Sequence, residues 1–223
     1  MTQSPPGLID LSHPIESGMT TYPGLPAPLV AEHLSRDASA EHYAPGTTFS
    51  IARIEMVANT GTYVDAPFHR FAGGDDIAAL PLARLAAVPG ALVDARGKGA
   101  ALGPELFTAV PIENRAVLVW TGWDAHWRAP EYGSGNHPFL TREGAAHLAA
   151  RSAVLVGIDS LNIDDVRDLT RPAHTLLLAA GIPIVEHLTN LGSVGSSPFR
   201  FFAVPAPVRG MGSFPVRAFA LGA

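Results

Sequence analysis

Hydrophobic positions in this chain fall into short runs separated by turns. Residues 116–121 (AVLVWT) and 153–159 are almost continuously apolar, a pattern typical of strands buried on both faces. The same kind of pattern predicts further strands at residues 8–12, 90–94, 182–186, 199–204 and 215–221.

Helical signals lie between these runs. Residues 141–150 form an amphipathic pattern that begins at Thr141, a good N-cap residue. Residues 172–180 begin with proline and end before Gly181, which favours a second helix with His174 in its first turn. Shorter helices are predicted at residues 80–87 and from residue 103. Strands therefore alternate with short helices, which indicates an α/β fold.

The densest polar chemistry lies at residues 59–69 (NTGTYVDAPFH). Residues 50–58 alternate between apolar and polar, which predicts a half-buried strand leading into this stretch. Continuing the period of two would place Asn59, Tyr63 and Asp65 on one side of the chain. Because functional groups concentrate where strands end, we expect an active site here.

Composition narrows the class of protein. Of the 223 residues, 47% are hydrophobic and 16% are charged, which predicts a globular chain, most simply one domain spanning residues 1–223. A net charge of −5 gives no basic patch for nucleic acid. Residues 1–7 lack a signal-peptide pattern, and no apolar run reaches the roughly 20 residues that cross a bilayer. We therefore expect a cytoplasmic protein without a membrane segment.

Several common catalytic devices are absent from the sequence. The chain has no cysteine, so it has no thiolate ligand or cysteine nucleophile. It contains neither a G-x-S-x-G elbow nor a P-loop. Gly97 and Gly99 begin like a dinucleotide fingerprint, but Leu102 stands where the last glycine is needed. Any metal must therefore be held by histidine and oxygen ligands.

Such ligands occur in two distant clusters, Asp65 with His69 and His174 with Glu186. A divalent metal needs deprotonated oxygen and imidazole ligands, and it acidifies bound water. A histidine free of the metal can then move protons. Spacing alone leaves a second interpretation open, in which each of these side chains satisfies local hydrogen bonds.

Some other polar and aromatic positions have two interpretations. Tyr22 either lies in a surface turn or forms an aromatic wall of a pocket. The aromatic residues of the 122–138 loop line either a pocket or a subunit interface. We expect His33 and His42 to be surface residues.

Residues 59–69 resemble the central motif of the cyclase family of metal-dependent hydrolases. That family includes bacterial kynurenine formamidase, isatin hydrolase and polyketide cyclases, and its motif is H-x-G-T-H-x-D-x-P-x-H. The resemblance extends along the chain, at residues 9–15, 22–24, 80–82, 121–123, 136–138, 157–159 and 174–191.

The resemblance implies a swivelling β/β/α domain with mixed sheets and short flanking helices, assembled as a dimer or tetramer. It also implies that Asp65, His174 and Glu186 hold metal and that His69 shuttles protons. Tyr22 would contribute to the pocket of a small carbonyl substrate.

The chain departs from the family where Asn59 and Tyr63 replace two histidine ligands. Three outcomes stay open: one metal survives on the remaining ligands with or without His69, a harder ion such as Mn or Mg replaces Zn, or the metal is absent.

The leading function is metal-assisted hydrolysis of an amide, lactam or lactone. One alternative is a metal-independent cyclase, isomerase or lyase. In it Tyr63 and Asn59 bind the substrate carbonyl, and His69 or Asp65 is the base. The other is a catalytically silent member that binds a ligand or supports an assembly.

Overall fold

The computed structural model describes residues 7–222. The strands are β1 Leu8–Asp10, β2 Leu29–Leu34, β3 Ile51–Glu55, β4 Tyr63–Asp65, β5 Val88–Asp94, β6 Ala101–Leu102, β7 Ala116–Trp120, β8 Phe139–Leu140, β9 Leu155–Ile158, β10 Ile184–Glu186, β11 Phe199–Phe202, β12 Ser213–Pro215 and β13 Phe219–Gly222. The helices are α1 Arg36–Ser39, α2 Arg142–Ala150 and α3 Pro172–Ala179.

Nine of these strands form one mixed sheet in the order β1-β13-β11-β5-β7-β9-β10-β4-β12. Strands β5, β7, β9 and β10 run parallel to one another, whereas the strands outside them pair antiparallel. Two small sheets, β2-β3 and β6-β8, lie apart from it. The parallel strands sit in the middle because both of their faces must be covered.

Both faces of β7 are buried. Val117 and Val119 pack in a core with Leu148 of α2 and Leu177 of α3. Leu118 points to the opposite core, which includes Phe201 of β11. The continuous apolar run of this strand follows from its two covered faces, as the sequence indicated.

The prediction of a half-buried strand at residues 50–58 is wrong. Strand β3 is exposed along its length, with Ile51 and Ile54 about half exposed, and in the described part of the chain it pairs with β2 alone. The buried strand is β4, which begins after a turn that places Gly61 at φ +65°. An alternating pattern shows that a strand has two unlike faces, but it does not show that either face finds a partner.

Three other predicted elements differ from the structure. The helix at residues 80–87 is a single 3₁₀ turn, Leu82–Arg84, and Ala87 adopts a left-handed conformation that stops it. The helix from residue 103 is also a 3₁₀ turn, Pro104–Phe107. The final strand at residues 215–221 is divided between β12 and β13. None of the helices in residues 7–222 has the length and apolar character to cross a membrane.

Candidate active site

Strands β4 and β10 bring the two polar clusters together. They pair antiparallel, with Tyr63 opposite Glu186 and Asp65 opposite Ile184. The Tyr63 hydroxyl donates a hydrogen bond to Glu186 Oε2 at 2.5 Å, and both side chains are buried. A separation of 123 residues along the chain thus becomes direct contact.

His174 is fixed by the start of α3. The free N–H groups of a first helical turn attract an acceptor, and here Asp164 accepts from the N–H groups of Ala173 (2.6 Å) and His174 (3.0 Å). Asp164 Oδ2 also lies 2.7 Å from His174 Nδ1. Because a carboxylate only accepts, the network assigns the Nδ1 hydrogen to His174 and leaves Nε2 for another partner.

That Nε2 atom faces two other carboxylates. It lies 3.6 Å from Asp65 Oδ2 and 3.7 Å from Glu186 Oε1, which is too long for a hydrogen bond. Asp65 Oδ2 is buried and has no hydrogen-bond partner among the described residues. An unpaired buried carboxylate oxygen is costly. Two ligands of one tetrahedral ion, each about 2.1 Å from it, stand about 3.4 Å apart. The spacing therefore fits a divalent cation.

His69 belongs to the same cluster. Candidate ligand atoms of Asp65, His69 and His174 all lie within 4.8 Å of one another. Glu186 is outside this group of three, although its Oε1 is close to His174. That oxygen already accepts from the Ile163 N–H at 2.6 Å, but a carboxylate oxygen has a second lone pair. We therefore retain Glu186 as a candidate ligand.

The two buried carboxylates have different pKa values. Burial raises the pKa of Asp65, but the neighbouring His69, His174 and Ser213 outweigh it and lower that pKa below its usual range. Burial and the charge of Asp65 raise the pKa of Glu186 to about 7, against the lowering effects of His174, Tyr63 and the Ile163 N–H. Two neighbouring buried carboxylates repel each other, so a cation bound between them is favourable.

The pKa of His174 is raised by the same two carboxylates. Burial lowers its pKa, but the hydrogen bond with Asp164 and the carboxylates of Asp65 and Glu186 raise it to about 10. A proton and a metal ion would compete for the same Nε2 atom.

Ser213 is a site residue that the sequence did not reveal. It lies opposite Asp65 in the β12–β4 pairing, and its hydroxyl donates to Asp65 Oδ1. Since the only hydroxyl hydrogen is used there, Ser213 Oγ accepts from Asn59 Nδ2 (3.3 Å) and from His69 Nδ1 (2.9 Å). Neutral His69 therefore carries its hydrogen on Nδ1 and leaves Nε2 unprotonated. No motif marks this serine, and only strand pairing locates it.

Gly212 allows this arrangement because its backbone touches His69. A Cβ at this position would lie 2.5 Å from His69 Cα. Because the Gly212 and His69 backbones approach each other this closely, the position before Ser213 requires glycine.

A cleft of about 330 Å³ opens onto these groups, within the size range of small-molecule sites. Its lining includes Tyr22 and Leu25, as well as Arg70, Asn162 and Arg171. A larger cleft of about 490 Å³ between Glu16 and Tyr132 contains none of the candidate ligands.

The aromatic residues of the 122–138 loop pack behind this cleft. Trp127 stacks on His13 with ring centroids 3.9 Å apart. The Tyr132 hydroxyl lies 2.7 Å from His187 Nδ1, and the His187 ring is 5.2 Å from that of Tyr63. Tyr132 and His187 are buried beside Tyr63, whereas Trp127 and His13 are partly buried. Elsewhere, His33 and His42 are exposed, as the sequence predicted.

Comparison with known proteins identifies the family. The sequence model of the Cyclase family, described as "Putative cyclase", matches residues 9–165, which is more than half of the chain. The chain belongs to this family. The resemblance inferred from residues 59–69 is therefore confirmed.

Individual relatives agree with this assignment. The chain is 28% identical to a kynurenine formamidase of Bacillus cytotoxicus over 212 residues, covering 94% of this chain and 95% of that one. It is 29% identical to a kynurenine formamidase of Maricaulis maris over 182 residues, covering 78% and 81%.

Two solved structures confirm the cyclase-family α/β fold. One is described as a potential metal-dependent hydrolase with cyclase activity (TM-score 0.80, 25% identity, 97% of this chain and 98% of that one). The other is isatin hydrolase A of Labrenzia aggregata (TM-score 0.82, 21% identity, 96% and 93%), whose likeness concerns the fold alone.

The prediction of an enzyme of the hydrolase or cyclase type is confirmed by these relatives. They support amide hydrolysis in general, and the metal-dependent neighbour and the Asp-His-His cluster support a divalent metal in general. The identity of the metal, the single domain, the homo-oligomer and the cytoplasmic location stay predictions.

Proposed function

We propose that this cyclase-family enzyme hydrolyses an amide bond, open or in a lactam ring, of a small carbonyl compound with the help of one divalent metal; lactones share the same chemistry. The observation that carries the proposal is the buried Asp65 Oδ2, which has no hydrogen-bond partner within residues 7–222 and faces His174 Nε2.

In this proposal Asp65, His174 and Glu186 hold the ion. Asp164 fixes the imidazole of His174 by its hydrogen bond to Nδ1, the arrangement that commonly orients metal-binding histidines. One nitrogen and two carboxylate ligands suit Zn or Mn. An ion held there supplies Lewis-acid polarisation of the amide carbonyl and makes water more acidic.

His69 is the proposed proton carrier. Its Nδ1 is held by Ser213 Oγ at 2.9 Å, and the residue lines the cleft. Its unprotonated Nε2 takes a proton from the attacking water and returns it to the departing amide nitrogen, which would otherwise leave as a strongly basic anion.

Tyr63 and Asn59 have structural roles in this scheme. The Tyr63 hydroxyl hydrogen is donated to Glu186, and burial together with Glu186 and Asp65 raises the Tyr63 pKa well above its usual value. The Asn59 amide donates to Ser213. The metal-independent cyclase or isomerase needs the Tyr63 hydroxyl free for a substrate carbonyl, and because that hydroxyl is committed to Glu186 this geometry favours hydrolysis. We assign substrate contact to Tyr22, which lines the cleft.

The experiment that tests the proposal is elemental analysis after incubation with Zn or Mn and gel filtration, followed by assays on amides, lactams and lactones. We expect about one equivalent of metal in the wild type. Glu186→Ala should lose both metal and turnover, whereas Glu113→Ala, at an exposed position, should keep both. Full activity in Glu186→Ala contradicts the metal mechanism.

His69→Ala separates the role of base from that of ligand. We expect it to retain metal while kcat falls about 10²- to 10⁴-fold, the usual contribution of a general base. Loss of metal in this variant would instead make His69 a ligand.

A further inference from the structure

Asn162 is a buried polar residue in the lining of the candidate cleft. Four residues of that lining are buried: Tyr63, Asn162, His174 and Glu186. Three of them belong to the cluster of candidate ligands and its hydrogen bonds. Asn162 is only 8% exposed, and a buried amide that lacks hydrogen-bond partners costs free energy. The place of Asn162 in the cleft therefore suggests a contact with a ligand.

The backbone around Asn162 is fixed relative to the candidate ligands. The segment follows the carboxyl end of β9, a central parallel strand, where ligands of α/β sheets commonly bind. The next residue, Ile163, donates its N–H to Glu186 Oε1 at 2.6 Å. The residue after it, Asp164, lies 2.7 Å from His174 Nδ1. Ile163 and Asp164 are both fully buried, so Asn162 is attached to a rigid support.

One end of the Asn162 side chain is held by the backbone. Its Oδ1 accepts a hydrogen bond from the Asp164 N–H at 3.0 Å, which closes a short turn. Because an N–H requires an acceptor, this contact identifies the oxygen of the amide and places the nitrogen at the other end. Asn162 Nδ2 has no acceptor among the described residues. Its two N–H groups are therefore available to a molecule in the cleft.

The other neutral amide and hydroxyl donors in the lining are already in use. Tyr63 gives its single hydroxyl hydrogen to Glu186. Asn59 Nδ2 uses one of its N–H groups on Ser213, at 3.3 Å. Asn162 differs from both, because it is buried and yet neither of its N–H groups has a partner in the described part of the chain.

We propose that Asn162 is a catalytic residue whose Nδ2 donates a hydrogen bond to the carbonyl oxygen of the amide substrate. This inference rests on the proposed function and adds a group that stabilises the transition state. When water adds to the carbonyl carbon, the π electron pair moves to the oxygen, which gains negative charge. The pair returns as the C–N bond breaks and the nitrogen leaves with the proton from His69. A fixed, buried N–H stabilises the charged oxygen more than the neutral carbonyl.

Two substitutions remove the donor in different ways. Asn162→Asp keeps an oxygen that accepts from the Asp164 N–H, whereas Asn162→Ala adds no charge; the loss of the donor is the change that they share. With formanilide as substrate, we expect kcat to fall about 10²- to 10³-fold in each, the usual effect of removing one such donor, with a small change in KM. Asn114→Asp, the same substitution at an exposed position, is the matched control and should keep the wild-type kcat.

Metal content and stability separate direct contact from an indirect effect. Asn162→Asp retains the turn to Asp164, so we expect it to hold about one equivalent of metal and to unfold at the same urea concentration as the wild type. Loss of metal together with kcat in this variant would show that residue 162 acts through the turn, and would overturn the proposal.

Infrared spectroscopy of the metal-free protein gives a readout that needs no turnover. A hydrogen bond to a carbonyl oxygen lowers its stretching frequency, and an isotope label at the carbonyl carbon of formanilide separates its band from those of the protein. We expect a lower frequency for formanilide bound to the wild type and to Asn114→Asp than for formanilide bound to Asn162→Ala. Without a metal, coordination of the carbonyl cannot cause the difference.

The outcomes separate the two proposals. Wild-type kcat in both Asn162 variants, or one carbonyl frequency in the wild type and Asn162→Ala, overturns the role of Asn162 and leaves the hydrolase proposal standing. If the wild type hydrolyses no amide, the hydrolase proposal loses support, and the carbonyl frequency then decides whether Asn162 binds a carbonyl oxygen. A wild type that binds no formanilide also overturns the role of Asn162.

Discussion

The Tyr63 hydroxyl donates to Glu186 Oε2 at 2.5 Å across the β4–β10 pair. The family motif has histidine at the position of Tyr63 and at that of Asn59. Here the phenol holds Glu186 and the asparagine reaches Ser213, which holds Asp65. Protein hydrogen bonds thus satisfy Glu186 Oε2 and Asp65 Oδ1. The other oxygen of each carboxylate, Glu186 Oε1 and Asp65 Oδ2, faces His174. The geometry favours one metal position over two.

Restoring the two histidines should create a second metal position. We expect the double variant Asn59→His/Tyr63→His to bind about two equivalents of Zn, compared with about one in the wild type, because imidazole is a far better zinc ligand than an amide or a phenol. Elemental analysis after gel filtration measures the change. Tyr63→Phe is the control, since it removes the hydrogen bond without adding a ligand and should leave the stoichiometry at about one. A double variant that also holds one equivalent would show that the surrounding chain no longer supports the second position.

Replacing Ser213 should weaken catalysis without removing the metal. Ser213→Ala leaves His69 Nδ1 and Asp65 Oδ1 without their shared partner, so the imidazole can turn or change tautomer. We expect kcat to fall about 10- to 100-fold with a small change in KM, and the pH profile of kcat to shift. Metal content and the profile are measured together. Unchanged kcat would show that Ser213 does not position His69. Rescue by Ser213→Thr, which restores the hydroxyl, would support the role.

The parts of this site that the sequence revealed are those encoded by local patterns. Thr141 caps α2 through the Gly144 N–H at 3.0 Å, as its position indicated. The 59–69 motif and the position of His174 in α3 were also legible, because each depends on neighbours in the chain. The mixed sheet followed from the family resemblance and not from any single pattern.

The parts that the sequence did not reveal depend on long-range pairing. Ser213 meets Asp65 across 148 residues, and no periodicity or motif records that pairing. Asp164 looks like any loop aspartate until α3 is placed beside it. The alternation in β3 predicts a half-buried strand, but the strand is exposed and within residues 7–222 it pairs with β2 alone. In each case the deciding contact comes from a distant strand or helix.

Replacing Asp164 should weaken metal binding and the start of α3 together. Asp164→Asn keeps the size of the side chain but removes the negative charge beside His174 Nδ1. Outer partners of metal-binding histidines typically contribute 10- to 100-fold in affinity, so we expect a loss of that order in competition titrations with a chelating dye. Loss of the charged cap should also lower the free energy of unfolding by about 1 kcal/mol. Asp168→Asn is the control, because among residues 7–222 the Asp168 carboxylate accepts hydrogen bonds from Thr170 only. An equal effect there would contradict the specific role of Asp164.

Adding one methyl group beside Ser213 should displace His69. In Gly212→Ala the new Cβ would lie 2.5 Å from the His69 Cα. This clash is with a backbone atom, so no side-chain rotation relieves it and the whole 3₁₀ turn Pro67–His69 must shift. We expect kcat to fall at least about tenfold, since small misplacements of a catalytic group are costly. The control is Gly73→Ala, where no described atom outside the neighbouring residues lies within 4 Å of the added Cβ. Wild-type kcat in a folded Gly212→Ala protein would show that His69 tolerates the shift.

His13 should make the protein less stable in mild acid. Burial against Trp127 lowers the His13 pKa to about 4, in spite of the nearby Asp124 and with a further lowering by Arg128. The unfolded chain has the ordinary value of 6.5. Between these values the unfolded state binds the proton and the folded state does not, so stability falls as the pH drops from 6.5 towards 4.

From pH 7 to pH 5 we expect His13 to contribute a loss of about 1 kcal/mol in the free energy of unfolding, allowing for solvent screening at a partly exposed ring. His13→Phe keeps the stacking but cannot titrate, so urea unfolding should show a correspondingly smaller loss between the two pH values. An identical loss in wild type and variant would mean that His13 titrates normally in the folded protein.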